Sequence, residues 1–250
     1  MKKRMTIKLF ALFLSAPLWA GNFDASRLPK TYETPLADDA MGVSVHRLKN
    51  GLTLYLSPNQ MSPRIEARIA VRGGSKLDPR DLTGMAHYLE HMLFKGSSKL
   101  GTTDFEKEKV HLDRIEALYN ELFKIADQQK RDEIYKEIDN ENAKASAYAA
   151  PNEFDKLYTL WGFQGINAFT NSESIVYVCD MPKNRLEQWA KVELDRFRSP
   201  VFRFFQTEIE AVFEEKNRAM DNAERIIWDT LTEEMFPGHP YDNPVLGTIE

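Results

Sequence analysis

Two histidines four residues apart, with a glutamate between them, constrain this chain more than any other feature: His87-Tyr-Leu-Glu90-His91. A residue advances about 100° around an α-helix, so positions i and i+4 lie on one face, one turn apart. Two neutral imidazoles placed there can hold one zinc ion. Glu90, three after His87, falls on the same side, where it can accept a proton from a bound water. The order inverts the commoner His-Glu-x-x-His arrangement. The chain has only 5 His in 250 residues, so the spacing is not a by-product of composition. Met85, Leu89, Met92, Leu93 and Phe94 surround the polar trio with apolar surface, as in a helix facing a core. Imidazole and carboxylate in such a helix need partners, and a metal would supply them. An amphipathic helix whose polar residues merely align is the alternative. Asp81-Leu-Thr, just upstream, is the expected N-terminal cap.

A catalytic zinc takes three protein ligands and one water, so a third ligand must come from elsewhere. His46, His111, His239, the lone Cys179 and any carboxylate are candidates. Glu208 and Glu215 stand seven apart in a helical stretch, on one face, with Val212 between them. That face suits a ligand plus a group that orients it. An acidic, solvated helix is the competing reading of those residues alone. Cys179 ends an apolar run, Ser174-Ile-Val-Tyr-Val-Cys179, and reads as a buried thiol rather than a nucleophile.

His87-Tyr-Leu-Glu90-His91-Met-Leu-Phe-Lys-Gly96, then Asn167-Ala-Phe-Thr170, then Glu208-Ile-Glu-Ala-Val-Phe-Glu-Glu215, resembles the pitrilysin/insulinase family of zinc metallopeptidases, the inverzincins. The resemblance runs from about Val43 to the last residue. It implies that His87, His91 and Glu215 ligate one Zn²⁺ per chain, that Glu90 is the general base, and that Glu208 is a supporting carboxylate. Glu210 and Glu214 then point elsewhere. It also implies that Asn167, Ala168, Phe169 and Thr170 form a strand whose edge pairs with a substrate backbone. Arg72-Gly-Gly-Ser-Lys-Leu-Asp78 resembles the strand end before the zinc helix. His239-Pro-Tyr241 and Pro244-Val-Leu-Gly247 resemble a structural loop.

The implied activity is that of a zinc metalloendopeptidase acting on peptides or small proteins, with a second family-type domain or a partner chain. A non-catalytic binding or scaffold subunit is the alternative that the family also contains. Family members continue past the equivalent of Glu250, so residues 21–250 are expected to form an N-terminal metallopeptidase domain that is incomplete at its C-terminal end. In one respect the chain departs from the family: the segment between His91 and Glu215 is longer than in the simplest members. Apolar residues at helical spacing from Val110 to Ile125 and at Ile134, Tyr135 and Ile138 predict an inserted antiparallel helix pair over about 105–149, with its turn at Asp127-Gln-Gln-Lys130.

Residues 1–20 read as a secretory signal peptide: Lys2-Lys-Arg4, a short apolar run, and Ala20 before Gly21. The expected location is therefore periplasmic or secreted, with no membrane span after cleavage. Removing those residues leaves 29 basic against 38 acidic residues, a net charge of −9. That balance disfavours nucleic acid, whose phosphates need a basic surface. Strands are predicted at residues 43–48, 52–56, 65–72 and 175–180, with Asn50-Gly51 turning the first pair. Helices are predicted at 83–94, 183–197 and 205–233, besides the inserted pair. The fold class is α+β, a mixed or antiparallel sheet with helices packed on one side.

Overall fold

The computed structural model describes residues 39–248; the expected signal peptide lies outside them. The described residues divide into two compact units, with the boundary between Ile65 and Glu66. In the first, β1 (Ser44–Arg47) and β2 (Thr53–Leu56) form an antiparallel hairpin with Arg47 opposite Thr53. Asn50-Gly51 makes the turn, as expected. Gly51 sits at φ 89°, where glycine meets no Cβ clash, and the Asn50 side chain accepts a hydrogen bond from Leu52 N at 3.1 Å.

The second unit begins inside β3 (Arg64–Val71). Its sheet has the order β3-β5-β4, with β4 (Gln164–Thr170) antiparallel to β5 (Ile175–Pro182). Successive side chains of a strand point to opposite faces, so the burial of Ile175, Val176 and Tyr177 in a row means that β5 is covered on both sides. Cys179 is the expected buried thiol, and burial pushes its pKa up to about 12.

Against this sheet lies α1 (Met85–Met92), whose Ala86 packs with Leu93, Ile175 and Tyr177. Beside them run α4 (Glu153–Leu160) and α5 (Leu186–Arg198). The guanidinium of Arg196 sits 4.6–5.2 Å from the rings of Phe94, Phe154, Tyr177 and Phe197, and Glu193 balances its charge at 2.7 Å. The class is the expected α+β, although α4 was not foreseen.

The inserted pair exists as α2 (Phe105–Leu122) and α3 (Gln128–Ser146). Its stripe is packing, as predicted: Ile115, Leu118, Leu122, Ile134, Ile138 and Ala145 form a core of their own. The turn lies earlier than expected. Asp127 accepts from Lys130 N at 2.9 Å, so it caps α3, and Gln128 is already helical.

Two further expectations need correcting. The long helix over 205–233 is two helices, α6 (Phe205–Met220) and α7 (Ala223–Met235). Asn222 breaks them, its side chain accepting from Glu224 N and Arg225 N at 2.9 and 3.4 Å. The cap of α1 is not Asp81-Leu-Thr. Asp78 reaches the helix from six residues before Gly84, accepting from Gly84 N and Ala86 N at 2.9 Å each. Gly84 lies at φ 86°, and a Cβ there would stand 2.8 Å from the Cα of Gly247. The loop after α7 is thereby closed against the start of α1, and Asn243 Nδ2 ties it further by donating to Ser75 O and Asp78 O.

Arg203, two residues before α6, is 2% exposed and forms a forked ion pair with Glu108 of α2 at 2.7 and 2.9 Å. Its remaining N–H groups donate to the carbonyls of Lys95, Ser97 and Leu100 at 2.8–3.2 Å. Breaking one side of a buried pair leaves an uncompensated charge. Glu108→Gln is therefore expected to cost about 3–5 kcal/mol, measured by urea unfolding; a loss under 1 kcal/mol would contradict this account.

Candidate metal centre

α1 presents His87 and His91 one turn apart, and α6 crosses it. Tyr88 fixes the crossing: its hydroxyl donates to Phe205 O at 2.7 Å, and its ring meets Phe205 edge-on at 5.1 Å. This brings Glu208 and Glu215 of α6, two turns apart, to the two imidazoles. The Nε2 atoms of His87 and His91 are 3.3 Å apart. Glu215 Oε2 lies 3.4 Å from His91 Nε2 and 3.7 Å from His87 Nε2. These separations exceed the roughly 2.7–2.9 Å of a charge-assisted hydrogen bond. They lie close to the edges, about 3.3–3.6 Å, of a tetrahedron whose centre is about 2.0–2.2 Å from each donor. Among the described residues these three form a group able to hold a metal ion; Glu210 and Glu214 are not in it.

The state of each group suits that task. Burial, and then the neighbouring His91, lower the pKa of His87, which favours the neutral, ligating imidazole. His91 Nδ1 bonds Glu208 Oε1 at 2.9 Å. That bond, reinforced by Lys95 on the other carboxylate oxygen, holds Glu208 ionised with a pKa of about 2. An ionised carboxylate can only accept, so Nδ1 is the donor and Nε2 of neutral His91 carries the free lone pair. The same bond raises the pKa of His91.

Glu90 is buried at the same place, and burial raises its pKa. Thr170 Oγ1 donates to its Oε2 at 2.6 Å. Asn167, Ala168, Phe169 and Thr170 do form a strand, and among the described residues its edge away from β5 has no partner. Yet alternation turns their side chains apart: Phe169 is 45% exposed, Ala168 packs beneath α1, and Thr170 reaches Glu90 rather than open solvent.

The other candidate ligands are not part of this group. His111 bonds Glu141 at 2.7 Å in the inserted pair, and His239 accepts from Tyr241 N in the loop after α7. Cys179 is in β5, and His46, in the hairpin, bonds Ser44. Lys95 and Asp78 were missed. Lys95 carried a signal, since it follows His91 by four residues.

A model of the family described as Insulinase (Peptidase family M16) matches residues 54–112, which include both histidines and Glu90. A probable mitochondrial-processing peptidase subunit beta of Schizosaccharomyces pombe is 22% identical over 94% of this chain and 38% of its own length. An uncharacterized zinc protease, YmxG, of Bacillus subtilis is 24% identical over 81% of this chain and 38% of its own. An insulin-degrading enzyme homolog of Dictyostelium discoideum is 38% identical over 26% of this chain and 6% of its own. The solved structure of a protease from Helicobacter pylori shares the fold, with TM-score 0.59 and 20% identity over 83% of this chain and 38% of that one. The chain thus spans well under half the length of these relatives. Over the segment that carries both histidines and Glu90 the chain is thus similar to the insulinase (peptidase M16) family, and the relatives that match it there and beyond are named for peptidase activity.

Proposed function

We propose that the chain is the zinc-binding part of a metalloendopeptidase that cleaves peptides or small proteins. One observation carries the proposal: two imidazole nitrogens and one carboxylate oxygen converge at 3.3–3.7 Å beside a buried second carboxylate. His87, His91 and Glu215 would hold the zinc, one per chain, which when bound supplies Lewis acidity to a water and to the scissile carbonyl. Glu90 takes the proton of the attacking water and returns it to the leaving amine. Thr170 holds one oxygen of Glu90 and so limits the rotation of the base. Glu208 keeps the ring of His91 in the donating tautomer. An extended substrate adds as a strand along the free edge of β4, where backbone pairing tolerates many side chains. A second family-type domain or subunit completes the site; one relative is named as a subunit of a processing peptidase.

Three outcomes follow. Purified chain binds about one zinc, and Glu215→Gln loses it or binds it far more weakly, read as metal content after dialysis; retention of full zinc by the variant would sink the ligand assignment. Glu90→Gln keeps its zinc but loses peptide hydrolysis by at least about 100-fold. Zinc affinity depends on pH through His91, because a protonated imidazole cannot ligate. The pKa of His91 is raised above the ordinary 6.5, so affinity is full above that raised value and falls as pH drops through it. Zinc titrations across pH 5–9 would contradict this if binding weakened only well below the ordinary imidazole range.

A further inference from the structure

We propose that Lys95 is a positioning residue of the metal centre, its ammonium group fixing Glu208 so that Glu208 fixes the ring of His91. This rests on the metal-binding reading above. Lys95 ends the short 3-10 turn Leu93–Lys95 that extends α1, four residues beyond His91 and on the same side. Glu208 spends its two oxygens on two partners: Oε1 takes His91 Nδ1 at 2.9 Å, and Oε2 takes Lys95 Nζ. The carboxylate cannot rotate about its axis without losing one of them. Unlike an exposed surface pair, both side chains are mostly covered, Lys95 being 24% and Glu208 13% exposed.

The root of Lys95 is fixed as well as its head. Its carbonyl accepts from Arg203 Nη1 at 3.1 Å, and Arg203 is buried and locked to Glu108. Arg203 also sits two residues before α6, the helix that carries Glu208. A flexible lysine stem is thus held at both ends, between the extension of α1 and the first turn of α6. The span Arg203–Lys95–Glu208–His91 sets the distance between the two helices that bring the metal donors together.

The proposal fixes the sign of an effect. A lysine acting only as a charge repels a cation, so its removal would tighten zinc binding. A lysine that positions Glu208 has the opposite effect. Without it a largely buried carboxylate keeps one partner, is free to turn towards water, and leaves the ring of His91 loose. Loss of an outer partner of a metal-ligating histidine weakens metal affinity by about 10-fold or more.

The test uses the whole chain and zinc alone, with affinity measured by competition against a chromophoric chelator at fixed pH. Thermal unfolding of the metal-free proteins is followed in parallel. Lys95→Met is expected to weaken zinc binding about 10-fold, and Lys95→Arg, which keeps charge and donors, to retain most of it. In a Glu208→Ala background Lys95→Met should weaken binding no further. The absorption of bound Co²⁺ should shift in Lys95→Met and not in Lys99→Met, since Lys99 is 76% exposed and pairs with Asp195. Equal or tighter zinc binding by Lys95→Met, or the same weakening with and without Glu208, overturns the proposal. If Lys95→Met does not fold, Lys95→Gln takes its place in the same comparison. Failure of the wild-type chain to bind zinc would instead overturn the metal-centre reading, and this inference with it.

Discussion

The crossing of α1 and α6 governs everything that the second unit can do chemically. Neither helix carries a metal site alone, and the crossing joins an uncharged contact to the charged one of Lys95, Glu208 and His91. The hydroxyl of Tyr88 closes on a backbone carbonyl at the start of α6, and Phe205 lies edge-on to its ring. Those contacts force Glu90, Glu208 and Glu215 into one half-buried region with two imidazoles. Burial, and with it the charge of Glu215, raise the pKa of Glu90. Lys95 balances Glu208. A divalent ion is the economical solution, because one particle offsets charge and satisfies three lone pairs.

The inserted helix pair has its own core, yet it is wired to this crossing. Glu108 of α2 holds Arg203, and Tyr119 of α2 donates to Gln206 Oε1 at 3.1 Å, both at the beginning of α6. Tyr119 also leans on Phe205 with ring centroids 5.6 Å apart. The insertion therefore braces the end of α6 nearest Glu208. A change in its first helix is felt at the metal donors without touching them.

Much of this was legible in the residues because local periodicity carries it. The spacing of His87 and His91, the shared face of Glu208 and Glu215, the apolar stripe of the inserted pair and the Asn50-Gly51 turn all obey short-range rules. What escaped depends on distance along the chain. Asp78 caps α1 from a loop, so no cap-and-helix spacing announces it. Arg203 and Glu108 are 95 residues apart and look, in isolation, like ordinary surface charges. Thr170 was read only as part of a strand edge, and the three-dimensional packing of β4 under α1 shows that its side chain reaches Glu90. Asn222 is different: its preference for helix starts was there to be read, and the strong helical pattern on both sides hid it. The choice of Glu215 over other carboxylates came from family resemblance, since spacing alone favoured a solvated acidic face.

The donors of the metal group come from opposite sides of a long stretch of chain, with 123 residues between His91 and Glu215. An ion bound by both is a reversible cross-link. It closes that loop in the folded state and has no ready counterpart in the unfolded one, so its binding energy is added to folding energy. At a free concentration about 1,000 times its dissociation constant, such a ligand contributes about 4 kcal/mol, a large share of what holds an ordinary domain together. A chelator would then behave as a denaturant for this unit, and the supply of metal where the protein matures would set how long it survives.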